Sequence, residues 1–271
     1  MQTVRVRNVE IGAGMPKVCV PVMGRDVDEV MAAARRVREE NVDLVEWRAD
    51  WFLEATGNMA RAKESACVGN VIDLDKMADV AWKLREILGD LPLLFTFRTA
   101  AEGGEQKIAR EEYVRLNVRL AMSGHVDLVD VELSAGEEAV REAICAAHEN
   151  GVKVIASSHD FEKTPAREEI VGRLKRMQGF GADILKIAVM PENRRDVLTL
   201  LGATEEMYTN YADRPLITMS MGKLGAVSRV CGETFGAAVT FGAVGNASAP
   251  GQMEAGRLRE ALELLHGNKK L

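Results

Sequence analysis

A lysine set among aliphatic residues is the first position in this sequence that invites a chemical reading. Lys186 lies in ILKIAVM (184–190), where period-two alternation puts Lys186, Ala188 and Met190 on one face and Leu185, Ile187 and Val189 on the other. The bulkier face packs on helices, which aims the amine inward. Burial disfavours the ammonium form, and a neutral amine attacks ketones to give a Schiff base. A buried carboxylate partner would instead make Lys186 half of an ion pair, and both readings stand at this point. In DLVEWRA (43–49), Glu46 and Arg48 are two apart and share one face, so two inward charges need each other or a ligand. Arg98 ends PLLFTFR (92–98), and Glu102 follows in the glycine-containing AAEGGE (100–105); alone, such an arginine reads as solvated. Arg229, in SMGKLGAVSRVCGETFG (220–236), can donate two parallel hydrogen bonds to a carboxylate. The small residues around it could equally cradle a phosphate.

The elements that must position these side chains alternate along the chain. Short runs rich in Val, Ile and Leu occur at 17–23, 43–49, 92–98, 128–133, 153–158, 184–190, 215–220 and 238–244. Helical periodicity follows each of them, near 26–40, 73–89, 109–123, 136–150, 166–178, 193–210, 225–235 and 251–267, with Gly89, Gly124 and Gly151 as helix stops. Consecutive βα units with no gap for a linker predict a single (β/α)8 barrel domain over residues 1–271 rather than an open, doubly wound sheet. The first fifteen residues alternate Val with polar residues and read as a hairpin across the barrel's N-terminal mouth.

Barrel active sites lie at the C-terminal ends of strands, and this rule sorts the four histidines. His148 and His266 fall on helices, and His125 lies in a loop at the opposite mouth. Only His159, just past VIASS, is at the productive end. The Gly-Ala-Gly at 12–14 lacks the third glycine and the strand-loop-helix context of a dinucleotide fingerprint.

Composition excludes several function classes. Hydrophobic residues at 47% and charged ones at 28% describe a chain with a sizeable core, and aromatics at 5% leave that core to aliphatic residues. A net charge of −6 with scattered basic residues gives no nucleic-acid footprint. Cys19, Cys67, Cys145 and Cys231 are far apart and form neither a disulfide framework nor a metal-ligand pattern, which suits a reducing cytoplasm and no bound metal. The most apolar stretch, 235–244, is about ten residues long and too short to span a bilayer. The N-terminus lacks the apolar run of a secretory signal.

Six segments carry a further likeness: VEWRAD (45–50), FTFRTAAEGGE (95–105), SSHDFEKTP (157–165), ILKIAVMP (184–191), SMGKLGAVSR (220–229) and ASAPGQ (247–252). In this order they resemble the type I 3-dehydroquinate dehydratase family over nearly the whole chain. The resemblance implies a hydro-lyase of the shikimate pathway, serving aromatic amino-acid biosynthesis, that converts 3-dehydroquinate into 3-dehydroshikimate. It makes Lys186 the Schiff-base lysine, His159 the general acid/base and Glu102 the group that orients His159. It assigns Glu46, Arg48 and Arg98 to the ring hydroxyls, and Arg229, Ser248 and Gln252 to the carboxylate, the last two from a loop that closes over the site. It implies no cofactor and a homodimer.

The chemistry suits these residue types. A protonated imine at C3 is a stronger electron sink than the ketone, and a histidine of ordinary pKa about 6.5 can take the C2 proton and return it to the departing C1 hydroxyl. A Schiff-base aldolase barrel also carries a lysine on its sixth strand but handles phosphorylated sugars; one arginine beside Ser248 and Gln252 fits a planar carboxylate better. A ligand-binding or scaffold barrel, its inward charges retained for packing, is the non-enzymatic alternative.

Overall fold

Strands that read as nearly continuous apolar runs must be covered on both faces, which calls for helices outside a parallel sheet. The computed structural model describes residues 2–54, 72–245 and 247–267. A hairpin comes first, β1 (Val4–Val6) and β2 (Val9–Ile11), paired from Val4↔Ile11 to Val6↔Val9. There follow β3 (Lys17–Val22), α1 (Val27–Arg38), β4 (Leu44–Arg48), α2 (Leu74–Leu88), β5 (Leu93–Thr96), α3 (Arg110–Met122) and β6 (Leu128–Glu132). The alternation continues through α4 (Glu137–Glu149), β7 (Lys153–Asp160), α5 (Arg167–Gly179), β8 (Ile184–Val189), α6 (Arg194–Asn210) and β9 (Leu216–Ser220). Two short helices, α7 (Gly222–Gly225) and α8 (Val227–Cys231), precede β10 (Val239–Ala243); β11 (Met253–Glu254) precedes α9 (Ala255–Gly267).

Each strand from β3 to β9 runs parallel to the next, and β10 returns to pair with β3. The ring closes between β9 and β10, where the Ala238 N–H donates to the Leu216 carbonyl at 2.8 Å beside a single bridge, Leu216↔Ala237. The barrel and its hairpin are those the periodicity leads one to expect.

Two apolar clusters follow from the strand alternation. Outward residues such as Val45, Trp47, Phe95, Val129, Leu185 and Ile187 pack with the helices. Inward residues at the start of the strands, including Leu44, Leu94, Leu128, Ile155, Ile184 and Ile217, fill the barrel floor, and Val4, Val6 and Ile11 of the hairpin pack against them. Burying these three side chains contributes about 1.5–3 kcal/mol each and plugs the N-terminal mouth.

Three aspartates repeat one device at that mouth. Asp43, Asp127 and Asp183 stand just before β4, β6 and β8, and their carboxylates accept the N–H of Val18, Leu93 and Val154 on the preceding strand at 2.7, 2.8 and 2.9 Å. Each also meets a cation: Arg259 for Asp43, Arg85 and Arg7 for Asp127, Lys153 for Asp183. At the fourth such junction Ala238 occupies the aspartate's place, so the β9–β10 seam lacks the device.

Four boundaries differ from those expected. Pairing of His159↔Ala188 and Asp160↔Val189 extends the strand expected at 153–158, so His159 is on β7 rather than past it. β5 stops at Thr96, leaving Arg98 two residues beyond its strand. The helix expected at 225–235 is broken into α7, α8 and a 3₁₀ turn, because Gly225 sits so close to the Ser220 carbonyl that a Cβ there would lie 2.3 Å from its oxygen. The Ser228 hydroxyl fixes this fold-back by accepting the Ser220 N–H at 2.9 Å and donating to the Gly225 carbonyl at 2.7 Å. The last helix begins at Ala255 because residues 253–254 pair with β10.

Candidate active site

Above the apolar floor the same inward positions turn polar. Glu46, Thr96, Asp130, Ser157 and Lys186 form one layer, and Arg48, Glu132 and His159 the next, all directed into the barrel at the C-terminal ends of their strands. Glu46, Arg48, Arg98, Glu102, His159, Lys186, Ser248 and Gln252 line one pocket; of the nine residues expected at the site, only Arg229 does not touch it directly.

Lys186 is 3% exposed and donates to Asp130 at 2.9 Å, with Glu46 3.4 Å away and the Phe241 ring centroid 4.7 Å away. Burial is therefore not the only force on the amine: two carboxylates face it, and the ion-pair geometry left open by the sequence is the one observed. Asp130 is fully buried, yet Arg98 and Lys186 outweigh the burial and keep its carboxylate below the ordinary range. Arg98 is saturated as well, with Asp130 at 2.9 Å, Glu132 at 2.8 Å and the Ser157 hydroxyl at 3.0 Å. It is not the solvated arginine its sequence context suggests when read alone.

His159 faces Glu102 through Nδ1 at 2.9 Å, and the same Oε2 accepts the His159 backbone N–H at 2.9 Å. Burial, then Arg98, Lys186 and Arg48, hold the imidazole well below its ordinary value of 6.5. It is neutral at physiological pH, so its contact with Glu102 is a hydrogen bond and not an ion pair. Glu102 moves the other way: burial, then Glu132, push it up to about 7 against the pull of Arg98 and of the Ser134 hydroxyl. A neutral histidine with Nδ1 engaged presents Nε2 as its second site, the arrangement that a base or acid requires.

Arg48 is clamped by Asp50, Nε to Oδ1 at 2.8 Å and Nη2 to Oδ2 at 2.7 Å, a bidentate pair that leaves Nη1 toward the Ser248 carbonyl at 3.4 Å. Arg229 contrasts with both other arginines. It is 1% exposed and, among the described residues, donates only to the Met219 sulfur at 3.4 Å and the Pro250 carbonyl at 3.3 Å, with no acceptor for its Nε. Burial alone pulls it down to about 10. A guanidinium buried without a carboxylate is costly and marks a place where an anion would be welcome.

The loop beside it is shaped to fit. Ser248 N–H donates to Gln252 Oε1 at 2.8 Å and Gln252 Nε2 donates to Ser248 Oγ at 3.0 Å, while the Pro250 carbonyl accepts the Gly222 N–H at 3.1 Å. Gly251 has φ +79°, and a Cβ there would lie 2.3 Å from the Gly222 oxygen.

Residues 18–269 match the family model described as Type I 3-dehydroquinase. The chain belongs to that family. It is 48% identical over 263 residues to the 3-dehydroquinate dehydratase of Clostridioides difficile, covering 97% of each chain. It is 49% identical over 266 residues to that of Salmonella agona, covering 98% of this chain and 99% of the relative. The crystal structure of type I 3-dehydroquinate dehydratase from Clostridium difficile, with covalent modified comenic acid, superposes with a TM-score of 0.90 at 46% identity, covering 98% and 99% of the two chains. As a type I 3-dehydroquinase the enzyme is a hydro-lyase.

Several side chains that line this hydro-lyase's pocket, or hold the residues that do, were not singled out from sequence. Asp130 and Glu132 in LVDVE carry the same period-two signal as Glu46 and Arg48, and that alternation would have found them. Asp50 is one residue outside β4, in a 3₁₀ turn, where strand periodicity no longer applies. Phe241, Met219 and Met221 close the pocket wall but look like ordinary core in a sequence. Among the described residues, no group of three or more His, Cys, Asp or Glu is arranged to hold a metal ion, and no helix is long and apolar enough to cross a membrane.

Proposed function

We propose that the enzyme converts 3-dehydroquinate into 3-dehydroshikimate through a Schiff base on Lys186, within the shikimate pathway of aromatic amino-acid synthesis. The observation that carries this reading is the juxtaposition, in one pocket, of the one buried lysine among the described residues with a neutral histidine, with an anion-seeking Arg229 behind Met219 of the same pocket. The covalent modified ligand in the related crystal structure supports a nucleophilic residue at this site.

Lys186 faces Asp130 at 2.9 Å and Glu46 at 3.4 Å. Passing one proton to Glu46 frees the amine to attack the C3 ketone. Loss of water leaves a protonated imine, which draws electrons from C2. His159 Nε2 takes the C2 proton, the electrons collect on the imine as an enamine, and the C1 hydroxyl departs as water with the proton that His159 returns. Water then hydrolyses the conjugated imine, restoring the amine and releasing the product. Glu102 orients His159. Glu46, Arg48 and Arg98 face the ring hydroxyls, the two arginines held ready by Asp50, Asp130 and Glu132. Arg229, Ser248 and Gln252 take the carboxylate. No metal or diffusible cofactor enters any step.

Residues 1–271 act as one catalytic domain in this reading. A homodimer rests on the family resemblance, and a cytoplasmic location on the free thiols of Cys19, Cys145 and Cys231; Cys67 lies outside the described residues. The direct test adds 3-dehydroquinate and follows the absorbance of the conjugated enone product. Absorbance that rises only with enzyme is expected, and its absence would remove the assignment of substrate.

A further inference from the structure

Behind His159, on the side away from Lys186, lies a second cavity of about 640 Å³ between the ends of β5, β6 and β7. It shares Glu102, Gly103, His159 and Phe161 with the inner pocket. The partition between the two is tight, since a Cβ on Gly103 would lie 2.3 Å from the Phe161 ring. Ser134, in the 3₁₀ turn Leu133–Ala135 that follows β6, is exposed in this outer cavity and does not touch the inner one. Its hydroxyl donates to Glu102 Oε1 at 2.5 Å, while Glu102 Oε2 serves His159.

We propose that Ser134 is a positioning residue for the acid–base pair: its hydroxyl keeps Glu102 as the carboxylate that draws the imidazole proton to Nδ1 of His159, leaving Nε2 free as the base toward the ligand. This rests on the reading of His159 as the general acid/base. Protonated Glu102 would reverse the hydrogen bond, donate to Nδ1 and force the imidazole hydrogen onto Nε2, where it blocks proton abstraction.

The groups around Glu102 leave this balance close. Arg98, 3.6 Å away beyond β5, favours the carboxylate; Asp130 and Glu132 on β6 oppose it. From β7 the neutral His159 contributes hydrogen bonds but no charge, and Asp160, Glu162, Arg173 and Arg176 line the outer cavity in equal numbers of each sign. Ser134 therefore supplies a local donor where the surrounding charges nearly cancel. Being exposed, it also lets Glu102 exchange its proton with water on the outer side, in a space large enough for a file of waters, while ligand fills the inner pocket.

The test is the pH profile of turnover with 3-dehydroquinate, from about pH 5.5 to about 9, for the wild type, Ser134→Ala, Ser134→Thr and His159→Ala, each checked for folding by circular dichroism. The wild-type acid limb is expected where Glu102 titrates, at about 7. In Ser134→Ala the limb should move up by about one pH unit, the worth of one hydrogen bond to a charged group, with kcat several-fold lower at neutral pH, restored at high pH, and KM unchanged. Ser134→Thr, which keeps the hydroxyl, should keep the wild-type limb. A limb that does not move in folded Ser134→Ala, a loss equal at every pH, or a folded Ser134→Thr that behaves like Ser134→Ala overturns the proposal. Full turnover in His159→Ala would instead overturn the reading beneath it, so the two failures are separable.

Discussion

Replacing Glu102 by Gln and His159 by Asn, in separate variants, should expose two pH slopes of opposite sign that work against each other in the wild type. Glu102 is raised from an ordinary 4.5 to about 7 in the folded protein, so its contribution to stability is complete below pH 4.5 and is lost as pH rises through 7. The gap of about 2.5 pH units corresponds to about 3 kcal/mol. His159 is depressed well below 6.5, so its contribution is complete above pH 6.5 and is lost as pH falls, at about 1.4 kcal/mol per pH unit. As pH moves between about 5 and 6.5 the two slopes oppose each other, and the Glu102 slope alone is worth about 2 kcal/mol across that window. Relative to wild type, Glu102→Gln should lose about 2 kcal/mol on going from pH 6.5 to 5, and His159→Asn should gain stability over the same step. The assay is urea unfolding followed by tryptophan fluorescence at fixed ionic strength, with each variant compared to wild type so that other titrations drop out. Parallel pH dependence in all three proteins would refute the assignment of neutral His159 and raised Glu102.

Borohydride with 3-dehydroquinate should leave ligand mass on the peptide containing Lys186; His159→Ala should still trap while losing about 10²–10⁴-fold in kcat, and a label on any other peptide would reject the Schiff-base lysine. Arg229→Met should raise the melting temperature, because it removes a buried guanidinium with no carboxylate partner among the described residues, while raising KM at least about 30-fold; a drop in stability with KM unchanged would contradict the clamp. Incubation with EDTA should leave kcat unchanged, and activity lost to chelation and regained with a divalent ion would show a metal step that the mechanism lacks.

Much of the fold is legible in the sequence because strand alternation is a strong, local signal: Lys186 in ILKIAVM and Glu46 with Arg48 in VEWR face the barrel as their spacing dictates. The helix expected at 225–235 fails for a reason no local pattern contains, since Gly225 must pass against Ser220 five residues earlier. The site was legible in its members more than in its states. Nothing in ILKIAVM says that Asp130, 56 positions away, will hold the amine as an ion pair. Likewise, an ordinary histidine pKa is a fair reading of SSHDF alone, and it is burial in the assembled site, then Arg98, Lys186 and Arg48, that depresses it. Arg229 could be read as a cation but not as an unsatisfied one, because partnerlessness is a property of the whole neighbourhood.

The seam between β9 and β10 gives the barrel the mechanics of a split ring. Every other pair of neighbours is laced by at least two register positions, and three of the four alternate junctions are also pinned by an aspartate, whereas the seam has one bridge and no such pin. Strain imposed from inside the ring will be relieved there first. The segments that flank the seam are those carrying Arg229, Ser248 and Gln252, so the compliant part of an otherwise stiff frame lies beside these three residues. The carboxylates that face Lys186, Glu46 on β4 and Asp130 on β6, stand on strands that do not border the split, and amide exchange should run fastest along its two edges.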